Sequence, residues 1–242
     1  MKKTIIILLL VAFVISCVTI NQNKEFIHKN GYYPQWFIYP EDCITGYAQV
    51  YFTSESSIKE ASKKAIENYQ KFNYCVVMGV QMYIQSPNGL DLVYDSLFIH
   101  VEESSEDENF LKKKFAYADT FSTERMSIIG HSDKPLGERK IVPFRKWCDW
   151  VETPPEDKDY FYAIGSTSNI FREHKAWEDA ENNAILNLAR KITMKNAVET
   201  LINEDTMMRK FNEEVNVELQ NIKIIERWKD SKTNSYYVLI GM

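Results

Sequence analysis

Four histidines are the side chains best able to transfer protons or bind a metal ion near neutral pH, and they are scattered along the 242 residues. They stand at His28, His100, His131 and His174. No His-Glu-x-x-His motif, metal-ligand pair or Gly-x-Ser-x-Gly motif occurs among them or elsewhere. We therefore expect no catalytic residues, no metal and no cofactor, although a hydrolase with a non-standard site stays an alternative.

Acidic side chains occur as pairs and as one run, at positions typical of solvated loops. The pairs are Asp157/Asp159 and Glu102/Glu103, and the run continues to Glu108. It lacks the alternating acids around a glycine that a calcium-binding loop requires. The net charge of −5 provides no basic field, so we expect no nucleic-acid partner.

Three of the four cysteines lie in the body of the chain, at Cys43, Cys75 and Cys148. No Cys-x-x-Cys motif predicts a zinc or thioredoxin-like site. The odd number leaves at least one thiol unpaired within a monomer. Cys43 and Cys148 flank two similar segments and could form a disulfide in an oxidising compartment, whereas burial as free thiols is the alternative.

The N-terminus carries the most specific chemical signal. Lys2 and Lys3 precede an apolar segment from Thr4 to Ile15, which is too short for an ordinary membrane-spanning helix. It ends Val-Ile-Ser-Cys17, which resembles the lipobox of bacterial lipoproteins. A plain secretory signal or a short anchor is the alternative.

The lipobox resemblance implies cleavage before Cys17, a diacylglycerol on its sulfur and usually a third acyl chain, together enough for stable anchoring. Val18 follows in place of the aspartate that directs retention, which implies the outer membrane. We expect a signal peptide over 1–16, a tether over 17–30 and a protein held on the periplasmic side more than at the cell surface.

The longest periodic segment predicts an amphipathic helix from about Glu173 to Thr200. Small and apolar residues recur every four positions, at Ala176, Ala180, Ala184, Leu188 and Ile192. A predicted strand, 160–166, precedes it and contains Gly165, where a missing Cβ permits close helix packing.

A fainter version of this segment stands 119 residues earlier, the separation of Gly46 and Gly165. The shift also aligns Ile44 with Ala163, Ile58 with Trp177, Ala61 with Ala180, Ala65 with Ala184, and Tyr69 with Leu188. Similarity at this period predicts a duplicated unit, since solenoid repeats are shorter. We expect an α+β fold of two tandem units, 31–152 (divergent) and 153–242, each a long helix on a mainly antiparallel sheet.

Other segments are assigned by composition. Further strands are predicted over 44–52, 92–101, 115–129, 139–151, 217–228 and 236–240, with a polar, partly helical segment over 203–216. Residues 75–86 are strand by composition, but the comparison of units favours a continued helix. The aromatic segment 31–40 is either a binding surface or a plug for one end of the core, with Tyr32, Tyr33, Trp36, Phe37 and Tyr39 as its aromatic side chains.

The second unit resembles the lipoprotein-twenty family of bacterial envelope lipoproteins, which is related in fold to a domain of a flagellar outer-ring protein. The residues that carry the resemblance are Ile164-Gly165, Ala180, Ala184, Leu188-Ala189-Arg190, Trp228, Asp230 and Tyr236 to Leu239. The first unit lacks the Leu-Ala-Arg triplet and a clear Trp-x-Asp hairpin. The resemblance implies a non-enzymatic envelope role, often assembly near surface machinery such as the flagellar base.

Two functional hypotheses lead. The first is a lipid-anchored structural or assembly protein that binds other envelope proteins or a second copy of itself. The alternative is a monomeric periplasmic binding lipoprotein that holds its ligand on the aromatic segment.

Overall fold

A computed structural model describes residues 27–28, 31–86, 89–102, 109–136, 140–158, 160–168, 171–202 and 210–242. The lipobox with Cys17 and most of the acidic run lie outside these residues.

Within these described residues, strands alternate with two long and two short helices. The strands are β1 (Ile27–His28), β2 (Tyr32–Pro34), β3 (Ile44–Gln49), β4 (Tyr74–Ser86), β5 (Gly89–His100), β6 (Tyr117–Thr123), β7 (Met126–Ser132), β8 (Ile141–Pro143), β9 (Tyr162–Ser168), β10 (Lys210–Gln220), β11 (Lys223–Asp230) and β12 (Ser235–Gly241). The helices are α1 (Gln35–Ile38), α2 (Ser54–Asn73), α3 (Phe110–Lys114) and α4 (Glu173–Ile202).

The strands form four sheets, in the orders β1-β6-β7-β3, β10-β4-β5, β11-β12-β9 and β2-β8. Only β1 and β6 run parallel, and every other pair of described strands is antiparallel. The expected α+β class with mainly antiparallel sheets is confirmed. The sheet β10-β4-β5 combines strands from both halves of the sequence, and the largest apolar core likewise contains residues of both halves.

Helix α2 packs on β3 and β7, and α4 packs on β9 and β12. Both contacts depend on a glycine, because a Cβ at Gly46 would collide with the backbone of Ala61 and Ala65. A Cβ at Gly165 would collide in the same way with Ala180 and Ala184. The small residues on each helix therefore allow its backbone to touch the strand backbone directly.

A second contact recurs at each helix–strand junction. The side-chain amide of Asn68 on α2 donates to the carbonyl oxygen of Thr45 at 2.9 Å, and that of Asn187 on α4 donates to the carbonyl oxygen of Ile164 at 2.7 Å. In both cases the acceptor directly precedes the packing glycine. The closely packed helix shields these backbone oxygens from water, and the amides provide the hydrogen-bond donors that the oxygens would otherwise lack.

Several element predictions are confirmed. The predicted helix 173–200 is observed over Glu173–Ile202. The strand 92–101 corresponds to β5, which ends at His100, the strand 236–240 lies within β12, and the strand 44–52 corresponds to β3 over Ile44–Gln49. Residues 75–86 form β4, which agrees with their composition and not with a continued helix. Helix α2 begins after Thr53, whose Oγ1 accepts from the Ser56 N–H at 3.2 Å.

Three predicted strands are wrong, and part of the predicted polar segment 203–216 is extended. Residues 115–129 are not one strand, because Thr123 Oγ1 accepts from the N–H groups of Arg125 and Met126 and forms a turn between β6 and β7. Within 139–151 only β8 is extended. The predicted strand 217–228 is divided into β10 and β11 at Asn221, whose φ of 54° is left-handed, and 210–216 is strand instead of partly helical.

Replacement of either packing glycine should destabilise the fold. We expect Gly46→Ala and Gly165→Ala each to lower the free energy of unfolding by about 2–4 kcal/mol, since the new Cβ meets immovable helix backbone. Urea unfolding followed by tryptophan fluorescence would measure the change. Gly241→Ala is the matched control, because there a Cβ meets only side-chain atoms of Ile225 and Tyr162. An equal loss in all three variants would contradict the packing argument.

Candidate functional site

The aromatic segment is mostly part of the core. Tyr33 and Phe37 are fully buried and Trp36 is nearly so, whereas Tyr32 is exposed and Tyr39 is half-buried. The prediction of a five-residue aromatic surface is therefore wrong for Tyr33, Trp36 and Phe37. The segment instead plugs one end of the core, which was the alternative interpretation.

Contacts with the second half of the chain explain this burial. The Phe37 ring meets the Trp177 ring edge-on at 5.6 Å between centroids, and the Tyr33 hydroxyl donates to Glu173 at 2.5 Å. The nearly buried Trp36 and the half-buried Tyr39 line one wall of a cleft of about 350 Å³.

A buried ion pair that sequence analysis missed lies beside this plug. Arg227 on β11 and Glu181 on α4 are both fully buried, with Arg227 Nη2 donating to Glu181 Oε1 at 2.8 Å. Arg227 also donates to the carbonyl oxygen of Phe37 and to Thr45 Oγ1, each at 2.7 Å. Its guanidinium lies 4.5 Å from the centre of the Phe37 ring. One side chain thus connects both halves of the chain.

The neighbouring residue on β11 forms a second polar cluster. Glu226 accepts two hydrogen bonds from Arg145 Nη2, at 2.5 and 2.6 Å, and one from Trp150 Nε1 at 2.9 Å. Cys148 Sγ lies 3.6 Å from the same carboxylate. Burial, and then the charge of Glu226, raise the pKa of the Cys148 thiol to about 12, so this cysteine is a protonated thiol and not a nucleophile at neutral pH.

The predicted disulfide between Cys43 and Cys148 is wrong, since all three described cysteines are free and buried. Cys43 packs in the large core with the aromatic segment, whereas Cys148 packs in a separate cluster with Trp150 and Trp228. Their side chains therefore enter different parts of the interior. Burial raises the pKa of Cys43 to about 12 and that of Cys75 to about 11.

The clearest exposed feature is an apolar surface on the hairpin of β4 and β5, which we call the outer face. Alternating residues contribute its side chains: Val76, Met78, Val80 and Met82 from β4, with Tyr94 and Phe98 from β5. Val80, Tyr94 and Phe98 are 42%, 53% and 54% exposed. Such a contiguous apolar surface is typical of an interaction site.

The opposite face of the same strands is buried and contains the polar contacts. Val77, Gln81 and Tyr83 of β4 point into the protein, and Gln81 donates to Asp95 of β5 at 3.2 Å. Arg190 of α4 donates to the other oxygen of Asp95 at 2.6 Å. The position of the sheet is therefore fixed from the inside, and the outer face does not take part in holding it.

The two edges of this sheet differ in character. Within the described residues, β5 and β10 each pair only with β4, so each has one edge without a neighbouring strand. On the outer face β10 presents Glu214, Asn216 and Glu218, all exposed. Strand β5 presents Tyr94, Ser96 and Phe98 there, and it contains neither lysine, arginine nor proline. Charged side chains commonly protect free edges from pairing, and β5 lacks that protection on its outer face.

No group of histidine, cysteine, aspartate and glutamate side chains suited to a metal ion occurs in the described part of the chain. In the same residues, none of the helices combines the length and hydropathy that crossing a membrane would require.

Comparison with known proteins gives no relative. No protein-family model matches the chain, and neither a curated protein nor a solved structure matches it. Its function must therefore be inferred from its own residues and from the surfaces that the fold exposes.

Replacing the buried Arg227 should lower the free energy of unfolding far more than replacing an exposed lysine. We expect Arg227→Met to lower the free energy of unfolding by about 3–5 kcal/mol, because Glu181 would remain buried without its partner. Adding Glu181→Met should restore part of that loss, as measured by urea unfolding. Lys134→Met is the control, since its ion pair with Asp42 is exposed and its removal should change little. Equal losses for Arg227→Met and the double variant would argue against a coupled pair.

Proposed function

We propose that this chain is a lipid-anchored protein of the bacterial outer membrane with a structural or assembly role, performed by binding other proteins. The single observation that carries the interaction role is the exposed outer face of β4 and β5. The lipobox at Cys17 supports the anchor. A place near the flagellar base rests on the family resemblance alone.

A protein partner fits the outer face better than the membrane surface does. The face is bordered on β10 by the exposed carboxylates of Glu214 and Glu218, and Asp91 lies near the hairpin turn. Anionic lipid headgroups would be repelled by these acids, and the net charge of −5 adds to that repulsion. Aromatic and methionine side chains within an acidic border resemble the apolar core and polar rim of a protein interface.

We also propose that the two halves arose as tandem units. The supporting observations are the two glycine–alanine helix contacts and the two asparagine bonds, which all recur at the same separation of 119 residues. The units then diverged: α4 has 30 residues and α2 has 20, and at the same separation most of β4 corresponds to the last part of α4.

The alternative is a monomeric ligand-binding lipoprotein. Its candidate binding site contains fewer aromatic side chains than the sequence predicts. Of the aromatic segment, Trp36 and Tyr39 line the cleft of about 350 Å³, together with Asp42, Lys134 and Lys140. The cleft would suit a small polar ligand. It is second to the outer face because Lys134 and Asp42 already pair with each other at 3.0 Å.

Lipidation predicts the number of free thiols in the purified full-length protein. We expect three thiols to react with a thiol reagent after denaturation, because a thioether would block the fourth cysteine, Cys17. Cys17→Ser should leave the number at three, and mass spectrometry of the wild-type N-terminal peptide should find acyl groups. Four reactive thiols in the wild type, falling to three in the variant, would refute the anchor.

The interaction role can be tested in cells with a photo-crosslinking amino acid in place of Phe98. We expect irradiation to join the chain to a protein, because this side chain belongs to the outer face and is 54% exposed. The same amino acid at Ser231, an exposed residue of the β11–β12 turn, is the control and should give no adduct. The absence of adducts from Phe98, with normal amounts of folded protein, would rule out the proposed interaction.

A further inference from the structure

We propose that the partner at the outer face is a second copy of the chain, joined by antiparallel pairing of β5 with β5 of the partner subunit around a twofold axis at Ser96. The inference rests on the proposed interaction role and specifies its partner. The pairing would unite the two three-stranded sheets into one sheet of six strands.

The composition of the two free edges supports this choice of strand. Glu214 and Glu218 place two carboxylates on the exposed side of β10, where a neighbouring β10 would bring like charges together. The corresponding side of β5 has aromatic and small side chains. The one carboxylate in the middle of β5, Asp95, points inward and is paired with Arg190. Strand β5 can therefore accept a neighbour without bringing two unpaired charges together.

The register of the β5–β5 pair is restricted because the outer faces of both subunits must lie on the same side of the joined sheet. In an antiparallel pair, opposite residues lie on the same face, so a shift of one residue would join the outer face of one subunit to the inner face of the other. A twofold axis at Asp95 would place two carboxylates opposite each other, and an axis at Leu97 would place Phe98 opposite Ser96 of the partner subunit.

An axis at Ser96 gives complementary contacts. Tyr94 then lies opposite Phe98 of the partner subunit, and the reverse pair is formed by symmetry, so two aromatic pairs flank a small residue at the axis. Aromatic cross-strand pairs of this kind stabilise a sheet. The regular part of β5 spans these residues, since its bulge lies before Tyr94, at the shift between Met82 and Tyr83 of β4.

The apolar surfaces of the two subunits would also become continuous. Val80 pairs with Ser96 and Met78 pairs with Phe98 in the existing hairpin, so the β4 side chains extend the aromatic pairs on both sides. The acids of β10 would then lie at the two outermost edges of the six-stranded sheet. The assembly would end there, because the remaining free edges are the charged ones, and a closed dimer results instead of a filament.

Disulfide crosslinking through Ser96→Cys in the full-length, membrane-anchored chain tests both the partner and the register. Opposite residues of an antiparallel pair have Cα atoms about 4.5–5.5 Å apart, within the range of a disulfide. We expect mild oxidation to convert most of the variant into a species of twice the chain mass on a non-reducing gel. The wild-type protein should stay monomeric on the gel, since its described cysteines are buried.

Matched cysteines separate this pairing from the other arrangements. Asn216→Cys on the exposed side of β10 and Ser231→Cys on a distant turn should not form the doubled species. Phe98→Lys added to Ser96→Cys should abolish crosslinking, because two lysines would then border the axis. Crosslinking of Asn216→Cys alone, or of a mixture of Ser96→Cys and Asn216→Cys chains but not of Ser96→Cys alone, would overturn the proposal.

Failure of the dimer proposal can be distinguished from failure of the proposed interaction role. If the photo-crosslinker at Phe98 captures a different protein and Ser96→Cys stays monomeric, the second copy is excluded while the interaction role stands. If the photo-crosslinker captures a second copy but Ser96→Cys does not crosslink, the proposed register is overturned. If neither forms an adduct, both the dimer and the interaction role fail.

Discussion

The buried ion pair between Arg227 and Glu181 is the interaction on which the arrangement of the two halves depends. Moving an arginine and a glutamate out of water is costly, and the cost is offset only if hydrogen bonds satisfy the charges. Here the guanidinium finds a carboxylate on α4, and acceptors from Phe37 and Thr45 in the first half. The aromatic plug, β3, α4 and β11 must therefore all be in place before this charge is compensated.

Two other residues of β11, on either side of Arg227 in the sequence, also form ion pairs. Glu226 binds Arg145 on one side of the strand, Arg227 binds Glu181 on the other, and Lys229 donates to Glu173 at 3.3 Å. Each pair joins β11 to an element distant in sequence. Apolar packing alone tolerates small displacements, whereas buried charges require particular partners, so the three pairs specify one arrangement of the elements around this strand.

Local periodicity was sufficient to predict the parts of the fold that depend on neighbouring residues. The alanine spacing predicted α4, Gly165 was expected to allow close helix packing, and the shift of 119 residues aligned Gly46 with it. Contacts between distant residues left no such pattern: nothing in the sequence around Glu181 distinguishes it from Glu178, which is only half-buried, and the aromatic segment gave no sign that Phe37 would contact Trp177. The residues 75–86 were ambiguous because the two halves differ there, with α4 continuing for 30 residues where α2 ends after 20.

The sequence analysis also did not predict the outer face, for a physical reason. Valine, methionine, tyrosine and phenylalanine in alternation predict a buried strand face, and sequence alone does not tell which of two faces a sheet covers. In β4 the polar residue Gln81 is buried while Val80 beside it is 42% exposed, which is the opposite of the burial that their hydropathies predict. Asp95, likewise polar, is held inside by Arg190, so the register cannot slip to bury the apolar side instead. A fold that uses ion pairs to keep its apolar residues outward gains no stability from them as a monomer, and the proposed contact with another protein would bury those side chains.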